Sequence, residues 1–128
     1  MKVLLDTHAL LWWLFDDPKL SAKAKRAIKN PDNVIFASTA SAWEMATKYR
    51  LGKLPGAELV VRQLPALLQS ARIEPLPISM EHALAAGNLP GPHRDPFDRM
   101  LIAQARLENL PIVTLDEAFK GYGVKIIW

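Results

Sequence analysis

Lys2-Val3-Leu4-Leu5-Asp6-Thr7 sets a short apolar run directly against an aspartate and a threonine. A run this short with no polar alternation reads as a strand buried on both faces, the pattern of a parallel sheet. Asp6 or Thr7 then caps a helix reaching about Phe15, which Asp17-Pro18 breaks. The same arrangement returns near the other end of the chain, where Ile112-Val113-Thr114-Leu115 reads as a strand running into Asp116.

Working outward, the segments between these two fill in an alternating order. A helix is expected from about Ser21 to Ile28, then a turn at Asn30-Pro31-Asp32-Asn33, a strand over Val34–Ala37, and a helix from Ala40 to about Tyr49 that Ser38-Thr39 opens and Gly52 ends. A long amphipathic stretch over about Ala57–Ala71 contains Pro65, which predicts a kink or two shorter helices. Ile73–Pro77 reads as a short strand or extended link, Ser79 opens a helix to about Ala86, and the proline- and glycine-rich Gly87–Arg94 reads as a loop. Asp95-Pro96 starts the clearest helix, to about Glu108, and Val124–Ile127 forms a last strand. Apolar strands alternating with amphipathic helices imply an α/β fold with a mostly parallel sheet. The length fits a single domain over residues 1–128.

Composition narrows the function classes. There is no cysteine, which excludes a disulfide scaffold and a thiol nucleophile and suits a reducing cytoplasm. No apolar run reaches the roughly 18 residues of a membrane span. Asp6 and His8 interrupt the apolar N-terminus, so it reads as the first strand rather than a signal peptide. Sixteen basic residues stand against thirteen acidic ones, for a net charge of +3. If four acids gather in one site, nine remain elsewhere, and a basic surface around an acidic pocket suits a polyanion held beside a cation.

In an open parallel sheet, ligands bind beyond the carboxyl ends of the strands. Asp6 and Asp116 stand at that edge. If their strands are neighbours, their like charges raise each other's pKa, and a divalent cation removes the conflict. Glu44 lies among small and apolar helical neighbours, and Asp98 ends the inward stripe of Leu101, Ile102 and Ala105. Each acid also has an ordinary structural reading. Asp6 and Asp116 serve as helix caps, Asp95 as an N-cap with Asp98 at the third helical position, and Glu44 as a surface residue. His8, His82 and His93 show no zinc-like spacing and read as ordinary core or surface residues. Ser38 and Ser41 lack a partner pattern for a serine hydrolase, and Gly52-Lys53 lacks the upstream glycine of a phosphate loop. Trp12 and Trp13 read first as core residues.

Four motifs in order carry a family resemblance: the apolar strand ending Asp6-Thr7; Ser38 six residues before Glu44; Asp95-Pro96-Phe97-Asp98-Arg99-Met100-Leu101-Ile102-Ala103; and Thr114-Leu115-Asp116. The chain resembles the PIN-domain ribonucleases, in particular the VapC-type toxins of bacterial and archaeal toxin–antitoxin pairs. The resemblance implies a three-layer α/β/α fold in which Asp6, Glu44, Asp98 and Asp116 hold Mg²⁺, or Mn²⁺, for hydrolysis of RNA. It implies Thr7, Ser38 and Thr114 as hydroxyls that orient carboxylates or water, Asp95 as a cap that assists the site, and Arg99 as a partner of a phosphate or of a site acid. Lys48 and Arg50 are further candidates for the RNA backbone. It also implies a VapB-type antitoxin as partner and a homodimer, with Leu10–Phe15 or the helices after Gly52 as contact. The alternatives are a non-catalytic binding module of the same fold and a Mg²⁺-dependent nuclease outside a toxin–antitoxin pair.

Overall fold

A computed structural model describes residues 1–128. Five strands, β1 (Lys2–Leu5), β2 (Val34–Ser38), β3 (Ile73–Leu76), β4 (Ile112–Val113) and β5 (Ile126–Ile127), form one sheet in the order β3-β2-β1-β4-β5. Every pairing is parallel, so the expectation of a mostly parallel sheet is met in full. The helices are α1 (Thr7–Leu14), α2 (Ala22–Lys29), α3 (Thr39–Arg50), α4 (Glu58–Ser70), α5 (Met80–Asn88) and α6 (Pro96–Glu108), followed by a 3₁₀ helix over Glu117–Tyr122.

The alternation of β1 builds the layers. Val3 and Leu5 face a core shared with Leu10 of α1, Ile28 of α2, Met45 of α3 and Val60, Leu64 and Leu68 of α4. Leu4 faces the opposite core, made with Leu101 and Ile102 of α6 and Phe119 of the 3₁₀ helix. All three strand residues are fully buried, which explains why the strand reads as unbroken apolar sequence.

Strand order positions the site. From β1 the chain moves outward through β2 to β3, then crosses back to lay β4 on the other flank of β1. That reversal lies between β1 and β4, where a parallel sheet opens a crevice at its carboxyl edge. Leu5 pairs with Val113 there, so the residues that follow each strand emerge side by side.

Two local expectations are sharpened. The kink in α4 falls at Gln63 (φ −117°, ψ 20°), just ahead of Pro65, whose ring cannot follow a regular turn. The strand expected over Ile112–Leu115 stops at Val113, and Leu115 is exposed, because the chain turns there to start the 3₁₀ helix. Leu10 and Leu11, expected at a dimer contact, lie in the chain's own core, although Phe15 is exposed.

Candidate active site

Asp6 follows β1 directly and caps α1. Its Oδ1 accepts the Ala9 N–H at 2.7 Å, and its Oδ2 accepts the Thr114 hydroxyl at 2.5 Å. The side chain is 6% exposed. Burial lifts its carboxyl above the ordinary aspartate range. The hydrogen bonds from Thr114 and Ala9 and the neighbouring His8 oppose that rise, and the charge of Asp98 adds to it.

Glu44 projects from α3 and is 3% exposed. Lys48, one turn on, pairs with its Oε2, whereas its Oε1 is buried without a hydrogen-bond partner. Desolvation pulls the Lys48 ammonium down, but the hydrogen bond and charge of Glu44, with Asp95 and Asp98, outweigh it and leave the group raised.

Asp95 caps α6, accepting the N–H groups of Phe97 (2.9 Å) and Asp98 (3.0 Å), with Pro96 in the first helical turn. Asp98 thereby stands in the first turn of α6. Burial is the main cause lifting its carboxyl. The hydrogen bond from His93 opposes the rise, and the charges of Asp95 and Glu44 add to it. Asp98 is thus the hub: its charge acts on Asp6, those of Glu44 and Asp95 act on it, and one of its carboxylate oxygens lies within 4.8 Å of ligand atoms of Asp116 and His93.

Asp116 does not end a strand. It caps the 3₁₀ helix, accepting the Ala118 N–H at 2.9 Å, and is exposed. Its own N–H donates to Thr114 Oγ1 at 3.0 Å. The Thr114 hydroxyl therefore links the backbone of one acid to the carboxylate of another.

The other two hydroxyls behave differently. Thr7 donates to Ser41 Oγ at 2.9 Å rather than to a carboxylate, and Ser38 caps α3 by accepting the Ala40 N–H at 3.0 Å. Arg99 also departs from expectation. It donates to three main-chain carbonyls, those of Ala86 (3.2 Å), His93 (3.0 Å) and Leu89, and so is paired with no site acid. The reason is local: α5 ends at Asn88 and the loop to Asp95 leaves its carbonyls unpaired, and a guanidinium fork satisfies several at once.

His93 is the site residue that sequence reasoning passed over. Its Nε2 lies 2.8 Å from Asp98 Oδ2. The five-residue separation crosses a loop and a helix start, so no periodic signal reveals it. Lys48, by contrast, stands at the readable i,i+4 position from Glu44.

Residues 3–125 match the PIN domain family. The chain belongs to that family. Among its relatives, this PIN-domain chain is 38% identical over 73 residues to Ribonuclease VapC16 of Mycobacterium tuberculosis, a stretch covering 54% of this chain and 50% of that protein. It is 29% identical over 122 residues to Ribonuclease VapC22 of the same organism, covering 94% and 91%. Two solved structures share the PIN fold, each with a TM-score of 0.70. One is VapBC2 from Rickettsia felis bound to a promoter DNA fragment (21% identity, 98% and 97% coverage), and the other is Mycobacterium tuberculosis VapC20, a sarcin–ricin loop cleaving toxin (14% identity, 95% of each chain).

Proposed function

We propose that this PIN-domain chain, residues 1–128 acting as one catalytic unit, hydrolyses RNA phosphodiester bonds with a divalent cation held by Asp6, Glu44, Asp98 and Asp116. The observation that carries the proposal is the buried Oε1 of Glu44, which has no partner and whose carboxylate acts on the already raised Asp98. A buried acceptor left unpaired is costly, and a cation supplies the missing partner for several carboxylates together. Carboxylate oxygens are hard donors that suit Mg²⁺ or Mn²⁺. When bound, the ion supplies Lewis acidity towards the phosphate and lowers the pKa of a bound water.

The chain's own residues do the rest. Ala9 and Thr114 fix both oxygens of Asp6. Lys48, paired to Glu44 and one-third exposed, offers positive charge at the rim where an RNA backbone would pass. Trp43, next to Glu44 and 61% exposed, meets Phe97, next to Asp98, edge to face at 4.8 Å. An exposed Trp43 backed by the partly buried Phe97 beside the acids suits stacking of an unpaired base, the usual mode of single-stranded RNA recognition.

The names of VapC16 and VapC22 support the ribonuclease reading, and the VapBC2 pairing supports a toxin held in check by a VapB-type antitoxin. An antitoxin arginine set against the carboxylates would be the electrostatic plug. A homodimer belongs to the same proposal, with Leu59 on α4 and Met80 and Leu84 on α5 as exposed apolar residues after Gly52. No helix is long and apolar enough to cross a membrane, and the proposed setting is the cytoplasm.

The test is cleavage of RNA, DNA and a small phosphomonoester by wild type, Asp6→Asn and Asp98→Asn, with Mg²⁺, Mn²⁺ or EDTA. RNA cleavage abolished by either substitution and by EDTA is expected. Cleavage that survives both sinks the metal-nuclease reading, and an inert but folded wild type favours a binding module.

A further inference from the structure

Two anchors pin the loop between α5 and α6 so that one histidine reaches the acids. The His93 N–H donates to the Tyr122 hydroxyl at 3.0 Å, and its carbonyl accepts from Arg99 at 3.0 Å. The imidazole stands edge-on to Phe119 and Tyr122, with centroids 6.3 Å and 6.4 Å away. Gly91 lets the loop cross Tyr122 closely, since a Cβ there would lie 2.8 Å from the tyrosine hydroxyl. The same histidine borders a cavity of about 730 Å³ lined by the loop and the 3₁₀ helix, which the acids do not line. His93 is therefore held from both sides and presents Nε2 to Asp98 at 2.8 Å.

Atoms of His93, Asp98 and Asp116 that can bind a metal all lie within 4.8 Å of one another. Around an ion with ligands at about 2.1 Å, neighbouring ligand atoms stand about 3 Å apart and opposite ones about 4.2 Å. Small side-chain movements bring these three into one coordination sphere. The unpartnered buried Oε1 of Glu44, whose charge acts on Asp98, points independently to a missing cation.

We infer that His93 is a metal ligand, giving the ion at Asp98 and Asp116 a nitrogen donor, and that the site therefore prefers Mn²⁺ to Mg²⁺. The inference rests on the metal-nuclease reading and deepens it. An imidazole is a softer donor than a carboxylate, and it favours a first-row transition ion over magnesium, which keeps to oxygen and water.

The experiment is pulsed electron paramagnetic resonance of Mn²⁺ bound to the full chain. Wild type is expected to show a directly bound ¹⁴N, with the coupling replaced by ¹⁵N when histidine is labelled. His93→Gln should abolish the nitrogen coupling and weaken Mn²⁺ binding about tenfold or more, with a smaller loss for Mg²⁺. His8→Gln, which alters the histidine beside Asp6, should leave the coupling intact. Bound Mn²⁺ without nitrogen coupling in wild type overturns the inference and leaves the nuclease reading standing. Coupling that survives His93→Gln also overturns it. No Mn²⁺ binding at all overturns both.

Discussion

The Thr114 hydroxyl donates to Asp6 Oδ2 at 2.5 Å across 108 residues of sequence, while its oxygen accepts the Asp116 N–H. One buried side chain thus ties the carboxyl ends of β1 and β4 to each other. Thr114→Val keeps the shape and removes both bonds. The expected cost is about 1–3 kcal/mol in stability, read by denaturant unfolding. Metal affinity should fall about 10–100-fold. Because that hydrogen bond lowers the Asp6 pKa, its loss should move the acid limb of the pH–rate profile to higher pH.

Asp6 and Asp98 both have folded pKa values above the ordinary 3.8. A raised value means their contribution to stability is full below about 3.8 and is lost as pH rises through the folded values. In EDTA, the unfolding free energy should therefore fall as pH climbs above about 4, by at most about 1.4 kcal/mol per pH unit for each group, and the melting temperature should fall with it. Asp98→Asn should flatten that slope. Lys48 is raised from 10.5, so its contribution is lost only in strong alkali, outside this window. Added Mn²⁺ should raise the melting temperature more near neutral pH than near pH 4, because protonated carboxyls do not bind it.

Arg99 holds three carbonyls and no phosphate. Arg99→Met should cost about 3 kcal/mol, since charged hydrogen bonds are lost and carbonyls are left unpaired. The dependence of RNA affinity on salt should stay unchanged. A shallower salt slope in this variant would mean that Arg99 meets the RNA backbone after all.

Gly91 has φ of +107°, where any side chain is strained, and the tyrosine hydroxyl occupies the space a Cβ needs. Gly91→Ala should destabilise by about 1–3 kcal/mol. Tyr122→Phe relieves the crowding but removes the acceptor of the His93 N–H, so it should loosen the loop with a smaller loss of stability. Amide exchange over residues 89–94 separates the two outcomes.

Trp43→Ala should leave stability within about 0.5 kcal/mol, because the indole is mostly exposed. RNA binding should weaken by about 1–3 kcal/mol, and Trp43→Phe should recover part of it. Equal binding by the alanine variant would remove Trp43 from RNA recognition.

Much of this was legible in the sequence because it is local. An unbroken apolar run announces a doubly buried strand, and Asp95-Pro96 announces a helix start; β1 and α6 stand where those signals place them. The Leu5-Asp6 ending marks the carboxyl edge of β1. The partners of polar side chains were not legible, because long-range packing decides them. Thr7 meets Ser41 across two helices, Arg99 meets the carbonyls of a loop, and His93 meets Asp98 from a loop anchored to Tyr122. Asp116 was misplaced by one element because β4 is only two residues long, too short for periodicity to mark its end.

The Thr7–Ser41 hydrogen bond is buried and joins two helices 34 residues apart in sequence. It cross-braces the first turns of α1 and α3, so the frame carrying Asp6 and Glu44 behaves as a fixed jaw. The opposing jaw, with His93 and Asp116, is carried by a loop anchored to Tyr122 and Arg99 and by a 3₁₀ helix whose Phe119 packs in the core with Leu4. The two sides of the candidate site thus rest on separate supports, a helix-to-helix brace on one and an anchored loop on the other, so each can be loosened by substitution without releasing its opposite.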